Sequence, residues 1–414
     1  MKKLLLLILI SKTVSYYAQF SVGRMSVNFK DQSRTGGYTI SGGITMPGTG
    51  RTIGSEIYYP ATTSGTNVTV AAGQFPVVVF GHGFVMTWDS YDNIYNRIAS
   101  LGYIVILPRT EGGLSPNHTD FGADLKNLAA QGLALNTTNT PTILATFNSK
   151  VMQTVAIGGH SMGAGSSFLS TANNTTVTCL FNFAAATTNP SSIASASLVT
   201  VPALIISGEK DSVADSTVQN SHYNATASSK KFQVIIKDLT HCDVGNGTSG
   251  TCTFGQAACN TPSCNSTYFK RYMTYLEPFL ANQLKGDCNE GKRFMDTITS
   301  VSSNRVGRKL TGTLLCTTTS LNSLTDSKLI FVYPNPTKNS INISYTQLND
   351  APTTFELYDM YGKLVLKTSA TTINSTSIRT QEINITSLND GVYILTIKQE
   401  HHTQSIKIVK QPEN

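Results

Sequence analysis

The stretch GGHSMGAGSS, which runs from Gly158 to Ser167, decides how this sequence folds. The apolar run MQTVAIGG leads into it and has the length and composition of a buried strand. The small residues Gly163, Ala164 and Gly165 follow Ser161 and predict the first turn of a helix that packs closely on its neighbour. We therefore expect a strand, a sharp turn at Ser161 and a helix, with the serine hydroxyl exposed at the end of the strand.

Strand-like and helix-like stretches alternate over residues 51–284. The apolar runs PVVVFGH, YIVILP, VTCLFNF, PALIISG and KFQVIIK are typical of strands that are buried on both faces. Helical spacing of apolar residues marks YDNIYNRIASLG, DFGADLKNLAAQGLAL and TYFKRYMTYLEPFLANQL. This alternation predicts an α/β fold with a mostly parallel central sheet flanked by helices.

An acid and a histidine follow Ser161 at the ends of later predicted strands. A serine hydroxyl becomes a good nucleophile when a histidine removes its proton and a carboxylate holds that histidine. Asp211 follows PALIISG and His241 follows KFQVIIK, so both lie at the strand ends where α/β sheets build their sites. Asp215 is the alternative acid, and Asp243 is too close to His241 along the chain. The predicted catalytic residues are Ser161, Asp211 and His241.

The segment GHGF, after the PVVVF strand, predicts a loop that donates hydrogen bonds to a negatively charged oxygen. The backbone N–H groups of Phe84 and Met162 are the expected donors of this oxyanion hole. Phe84 and Trp88 are the predicted substrate-binding residues. The Phe84 ring would form an aromatic wall beside an acyl group, and Trp88 lies just after the same loop. Trp88 is the only tryptophan, and it either lines the cleft or packs in the core.

The remaining histidines are not expected to act in the reaction. His160 is the variable residue of the G-x-S-x-G pattern, and we expect its side chain to point away from the chemistry. His118 and His222 are expected in solvated loops. No cofactor and no metal site is expected.

The N-terminus has the pattern of an export signal. Lys2 and Lys3 precede a short apolar run, 4–10, which is too short to span a bilayer, so residues 1–19 are predicted to be a signal peptide. A buried first strand is the alternative. Charged residues make up only 13% of the chain and its net charge is +7 without a basic block, which argues against a nucleic-acid partner.

Seven cysteines in an exported chain predict disulfides and at least one thiol left unpaired within the chain. Cys179 lies in an apolar strand and is expected to be a buried free thiol. Cys288 and Cys316 are expected to pair and to hold the segment between them. The other four have no predicted pairing, and a zinc site on three of them would be a poor match to known ligand spacings: Cys242, Cys252, Cys259 and Cys264.

The C-terminal part of the sequence has a different pattern from the rest. Short alternating strands joined by tight turns, as in TFELYDMYGKLVLKT and INITSLNDGVYILTIK, predict a small all-β sandwich over residues 328–414. We therefore expect a catalytic domain at 20–290 and a linker at 291–327. A carbohydrate-binding or adhesion sandwich is the alternative for the last domain.

Residues from about 20 to 290 resemble the α/β-hydrolases of the dienelactone hydrolase, chlorophyllase and cutinase-like polyesterase group. FPVVVFGHGF, GHSMGAGS, VPALIISGEKDSVAD and LTHCDVG carry the resemblance. It implies a secreted serine carboxylic-ester hydrolase of the cutinase-like kind, and the group includes bacterial polyester hydrolases that attack poly(ethylene terephthalate). Polyester hydrolases of the group carry a tryptophan between the serine and the acid, which this chain lacks. A lipid or small-molecule esterase, or an inactive cell-surface binding protein, is the alternative.

The last domain resembles the C-terminal sorting domain of the type IX secretion system, on YPNP, LYDMYGK and LNDGVYIL. The resemblance implies export through the periplasm, followed by release or attachment at the outer surface. The expected partners are an ester substrate and the type IX secretion machinery, and the protein is expected to be a monomer.

Overall fold

A computed structural model of the protein describes ten stretches of the chain: 19–35, 37–39, 45–46, 48–137, 145–246, 262–316, 331–346, 352–370, 378–399 and 402–412. The predicted signal peptide lies outside them except at its last residue. The chain divides into two compact units, Met1–Cys316 and Thr317–Asn414.

The first unit is built on one large mixed sheet. In the described part of this unit its strands are β1 (Ser21–Asp31), β2 (Gly37–Thr39), β3 (Thr45–Met46), β4 (Arg51–Ala61), β5 (Gly65–Thr66), β6 (Phe75–Gly81), β7 (Ile104–Pro108), β8 (Val151–His160), β9 (Cys179–Phe183), β10 (Ala203–Gly208), β11 (Lys231–Ile236) and β12 (Arg305–Thr311).

Six neighbouring strands form the parallel centre of this sheet, in the order β7-β6-β8-β9-β10-β11. Antiparallel strands close both sides: β4 and β1 follow β7, and β12 pairs with β11. The chain runs from β6 to β7 on one side and then returns to β8 on the other. Loops from both directions meet at this reversal, which is where α/β sheets bind ligands.

Helices cover both faces of the sheet. Those in the described residues are α1 (Asp92–Ser100), α2 (His118–Ala134), α3 (Met162–Thr171), α4 (Ser192–Ala196), α5 (Ser216–Ala225), α6 (Pro262–Lys285) and α7 (Cys288–Thr299), together with 3₁₀ turns at Trp88–Tyr91, Ala145–Phe147 and His241–Val244.

Three hydrophobic clusters of described residues lie on the sheet: one contains Phe181 and Tyr272, another Phe29 and Leu128, and a smaller one Leu180 and Ile205. Every residue of β6, β7, β9 and β10 is buried, as expected of strands covered on both faces. The predicted α/β class with a mostly parallel sheet is therefore confirmed.

The segment 291–327 was expected to be a linker, but its first part is folded. Residues 291–299 belong to α7, which buries Gly291, Phe294 and Ile298 on one face. Residues 305–311 form β12, the strand beside β11. The expectation failed because three buried positions in a charged segment are a weak signal for a helix. In the structure, α7 packs on α6, which is next to it in the sequence.

The second unit consists of antiparallel strands, which in its described part are β13 (Phe331–Tyr333), β14 (Ser340–Thr346), β15 (Thr353–Tyr358), β16 (Leu364–Ala370), β17 (Ile378–Asn384), β18 (Gly391–Gln399) and β19 (His402–Lys410). They form two sheets, β13-β14-β17 and β16-β15-β18-β19. One apolar cluster that includes Ile343, Phe355 and Leu395 draws side chains from both sheets. This arrangement confirms the predicted all-β domain.

The cysteine pairing is confirmed at the end of the first unit. Cys288, the first residue of α7, is joined to Cys316 by a disulfide that closes 28 positions of sequence. Cys179 is a buried free thiol, as expected, and burial raises its pKa. Cys242 is disulfide-bonded, whereas Cys252 and Cys259 lie outside the described residues.

Replacing both Cys288 and Cys316 with serine should lower the free energy of unfolding by about 3–4 kcal/mol, because the open chain gains entropy in its unfolded state. Urea unfolding of the variant and the native protein would measure this. Substitution is cleaner than a reducing agent, which would also reach the disulfide of Cys242.

Each single serine variant should lose as much stability as the double variant, since one sulfur cannot bridge alone. An unchanged unfolding midpoint in all three variants would contradict the assignment.

Candidate active site

Ser161 lies at a sharp turn between β8 and α3 and has an unusual backbone conformation. Its φ of 53° and ψ of −116° fall outside the regions that L-residues prefer, at a cost of about 1–3 kcal/mol. Three backbone hydrogen bonds hold it there. The Ser161 N–H donates to the Phe183 carbonyl over 3.0 Å, and the Ser161 carbonyl accepts from Gly165 at 2.9 Å and Ala186 at 3.0 Å.

Glycines allow the turn to pack directly against the end of β6. A Cβ atom at Gly163 would lie 2.2 Å from the Gly81 carbonyl oxygen, and one at Gly159 would lie 2.6 Å from the Gly163 carbonyl carbon. Backbone therefore meets backbone at this point. The contact brings the loop after β6 beside the first turn of α3.

The structure brings Ser161, Asp211 and His241 together from the ends of β8, β10 and β11. The Ser161 hydroxyl oxygen is 2.9 Å from His241 Nε2, and the Asp211 carboxylate is 2.8 Å from His241 Nδ1. All three residues are buried, with 7%, 5% and 6% of their surfaces exposed. A serine hydroxyl, an imidazole and a carboxylate thus stand in hydrogen-bonded series.

The Asp211 carboxylate accepts three hydrogen bonds. Burial by itself raises its pKa, but the bond from His241 and the backbone N–H groups of Val213 and Ala214, at 2.9 and 2.8 Å, lower it further than burial raises it. The net pKa is below the usual value. Asp211 is therefore ionised at neutral pH and can stabilise positive charge on His241.

The two other acids near this site have different tasks. Asp215 caps α5 by accepting from the backbone N–H groups of Thr217 and Val218. Asp243 accepts from the backbone and the hydroxyl of Thr240 and so caps the 3₁₀ turn that begins at His241. Both carboxylates therefore cap the start of a helical segment.

Phe84 and Met162, the predicted oxyanion donors, lie on the two segments that the glycines bring together. Met162 is the first residue of α3, where backbone N–H groups have no partner within the helix. The Phe84 side chain is 44% exposed in the loop after β6. Their predicted roles in the oxyanion hole rest on this placement.

Trp88 packs against two tyrosines. Its ring centroid lies 6.0 Å from those of Tyr58 and Tyr95, and those two rings stack at 4.0 Å. The residue is half-buried, which fits both roles considered from the sequence, a position in the cleft and packing in the core. Its predicted role in substrate binding stays a prediction.

Sequence reasoning was wrong about His160 and His222. His160 is buried, its ring lies 4.7 Å from that of His241, and its two nitrogens contact the Tyr91 hydroxyl at 2.8 Å and the His241 carbonyl at 2.9 Å. His222 is buried in α5, stacked on Phe168. No local pattern shows these contacts, because the partners of His160 are 69 and 81 positions away.

Within the stretches that the structure describes, no three His, Cys, Asp or Glu side chains are grouped so as to hold a metal ion. Over the same residues, no helix is both long and apolar enough to cross a membrane.

Comparison with known proteins gives two family matches and two curated relatives. The family described as PET hydrolase-like matches residues 28–274, and the secretion system C-terminal sorting domain matches residues 331–411. Chlorophyllase-1, chloroplastic, from Citrus unshiu and from Citrus sinensis, is 31% identical over 100 residues, which is 23% of this chain. The match spans 28% of the length of each relative.

Gly163→Ala should lower the free energy of unfolding by about 1–3 kcal/mol, because the added methyl group meets the backbone of β6 and neither segment can move freely. Thermal or urea unfolding would measure the loss.

Gly112→Ala is the matched control. A Cβ atom there meets nothing closer than the Met86 carbonyl oxygen at 3.7 Å, so its stability should stay close to that of the native protein. Equal stability of the two variants would refute the backbone contact.

Proposed function

We propose that this chain, which belongs to the PET hydrolase-like family and carries a secretion system C-terminal sorting domain, is a secreted ester hydrolase that acts as a serine enzyme through Ser161, His241 and Asp211. The observation that carries the proposal is the hydrogen-bonded series of 2.9 and 2.8 Å through the His241 ring. A protein that only binds esters would have no need of this series.

The reaction begins when the Ser161 oxygen attacks the carbonyl carbon of the ester. His241 Nε2 takes the hydroxyl proton, and the ionised Asp211 stabilises the resulting imidazolium. Negative charge develops on the former carbonyl oxygen, where the backbone N–H groups of Phe84 and Met162 donate to it.

The tetrahedral intermediate then releases the alcohol, which takes its proton from His241. The acyl group is left bonded to the Ser161 oxygen. Water attacks this acyl-enzyme with His241 again as the base, and collapse of the second intermediate frees the carboxylic acid and restores the serine hydroxyl.

Polyesters of the poly(ethylene terephthalate) class are the first substrate candidate, since the family description names that activity. The exposed Phe84 ring supports binding of an aromatic or acyl unit. Small-molecule or lipid esters are the second candidate, supported by the chlorophyllase match and by the absence of tryptophan between Ser161 and Asp211. Rates on p-nitrophenyl esters, triglycerides, a cutin-like polyester and a poly(ethylene terephthalate) film would rank the two.

Ser161→Ala should lower kcat by about 10⁴-fold or more, and Asp211→Asn by about 10³–10⁴-fold, because the first removes the nucleophile and the second the charge that stabilises His241. Hydrolysis of a p-nitrophenyl ester would measure both. A serine-directed phosphonate should label Ser161, and labelling at another residue would refute the assignment.

Asp215→Asn is the matched control for the acid. Asparagine caps helices as well as aspartate does, so this variant should keep both its stability and its kcat. If Asp215→Asn lost more activity than Asp211→Asn, the two acids would have to exchange roles.

Removal of residues 327–414 should leave kcat on a soluble ester within about two-fold, since no group proposed to act in the transition state is removed. The same deletion should stop delivery to the outer surface in the native host, which fractionation of the cells would detect. Loss of activity on an insoluble polyester alone would instead identify the last domain as a substrate-binding module.

A further inference from the structure

Two buried side chains, Tyr91 and His160, connect the loop at residues 82–84, here called the oxyanion loop, to the backbone of His241. Neither has a part in the reaction described above. We infer that they are positioning residues for the ester hydrolysis, holding the oxyanion loop and the base in one fixed relation to Ser161. The inference deepens the proposed function and rests on it.

The hydrogen-bonding pattern fixes the direction of each bond. The His241 carbonyl oxygen can only accept, so His160 Nε2, 2.9 Å away, carries the proton and donates to it. Burial, with the nearby His241 ring, lowers the pKa of His160 to about 3, so the imidazole is neutral. Its other nitrogen, Nδ1, is therefore an acceptor, and the Tyr91 hydroxyl donates to it over 2.8 Å.

The Tyr91 hydroxyl also holds the oxyanion loop. Its oxygen accepts a hydrogen bond of 2.9 Å from the Gly83 N–H, one residue before Phe84. The Met86 sulfur lies 3.0 Å from the same hydroxyl, but a thioether is a weak acceptor and competes poorly with an imidazole nitrogen. This hydroxyl therefore donates one hydrogen bond, to His160, and accepts one, from Gly83.

The fit around Gly83 shows that the loop is seated on this pair. A Cβ atom at Gly83 would lie 2.8 Å from the Met86 sulfur, 3.1 Å from the Tyr91 oxygen and 3.3 Å from His160 Nδ1. A side chain at position 83 would displace the flexible end of Met86 and press on the Tyr91 hydroxyl and the His160 ring. The position of Phe84, the next residue, depends on the same contact.

The other end of the connection reaches the base. His160 precedes Ser161 in the chain, its ring packs 4.7 Å from the His241 ring, and its Nε2 holds the His241 carbonyl. The sequence of bonds therefore runs from Gly83 through Tyr91 and His160 to His241. Oxyanion donor, nucleophile and base are all adjacent to it.

Tyr91→Phe should lower kcat for a p-nitrophenyl ester by about 10-fold, with KM changed by less than about two-fold, because the ring stays and only the positioning hydroxyl is lost. Rates are expressed per active site, counted by phosphonate titration of Ser161. Unfolded protein then does not contribute to the difference.

Tyr59→Phe is the matched control. Tyr59 is fully buried, its hydroxyl makes one hydrogen bond, to the Val68 carbonyl at 2.8 Å, and it belongs to the cluster that does not contain Tyr91. This variant should keep the native kcat and lose a similar amount of stability. If the role of Tyr91 were only structural, the two variants would have the same kcat per active site.

A second variant tests whether the two residues act as one unit. If they do, Tyr91→Phe combined with His160→Phe should have the kcat of His160→Phe alone, whereas independent effects would multiply. If His160→Phe does not fold, the comparison of Tyr91→Phe with Tyr59→Phe decides alone.

The outcomes separate the inference from the proposed function. If the native protein neither hydrolyses esters nor reacts with phosphonate at Ser161, both the proposed function and this inference are refuted. Native protein that is active, with Tyr91→Phe equal to Tyr59→Phe in kcat per active site, would overturn the inference and leave the serine mechanism in place.

Discussion

The strained backbone of Ser161 is the constraint on which the rest of the site depends. A positive φ at a residue with a side chain is unfavourable, so it persists only where surrounding bonds over-determine it. Here Phe183, Gly165 and Ala186 supply those bonds from three places: the end of β9, the first turn of α3 and the loop after β9. The backbone geometry of Ser161 therefore requires the parallel sheet and helix α3 to be correctly assembled.

The sequence predicts those features whose physical cause is local. The apolar runs give the parallel strands, the glycines around Ser161 give the turn, and Asp211 and His241 follow strands whose ends meet at one edge of the sheet. The acid could be ranked above Asp215 because it is nearer to the strand end. The structure adds the distances between Ser161, His241 and Asp211, and it shows that the Asp215 carboxylate caps a helix.

Two features were not predicted from the sequence, for different reasons. The orientation expected for the His160 side chain was wrong because its contacts come from Tyr91 and His241, 69 and 81 positions away. The linker was misjudged for a local reason, since α7 buries only Gly291, Phe294 and Ile298 in a charged segment. A buried hydrogen bond between distant residues leaves no periodic trace in the sequence. Such contacts are found only when the fold has brought the elements together.

The Cys288–Cys316 disulfide has a mechanical consequence for a protein that is exported with a sorting domain at its end. Tension applied to the chain beyond Cys316 passes through the sulfur–sulfur bond to Cys288, so the 27 residues between them bear none of it. Strand β12, at the edge of the sheet, lies inside that shielded loop. A pulling force on the tail is therefore not transmitted through β12 and does not peel this strand from β11, because it enters the first unit at Cys288, the first residue of α7.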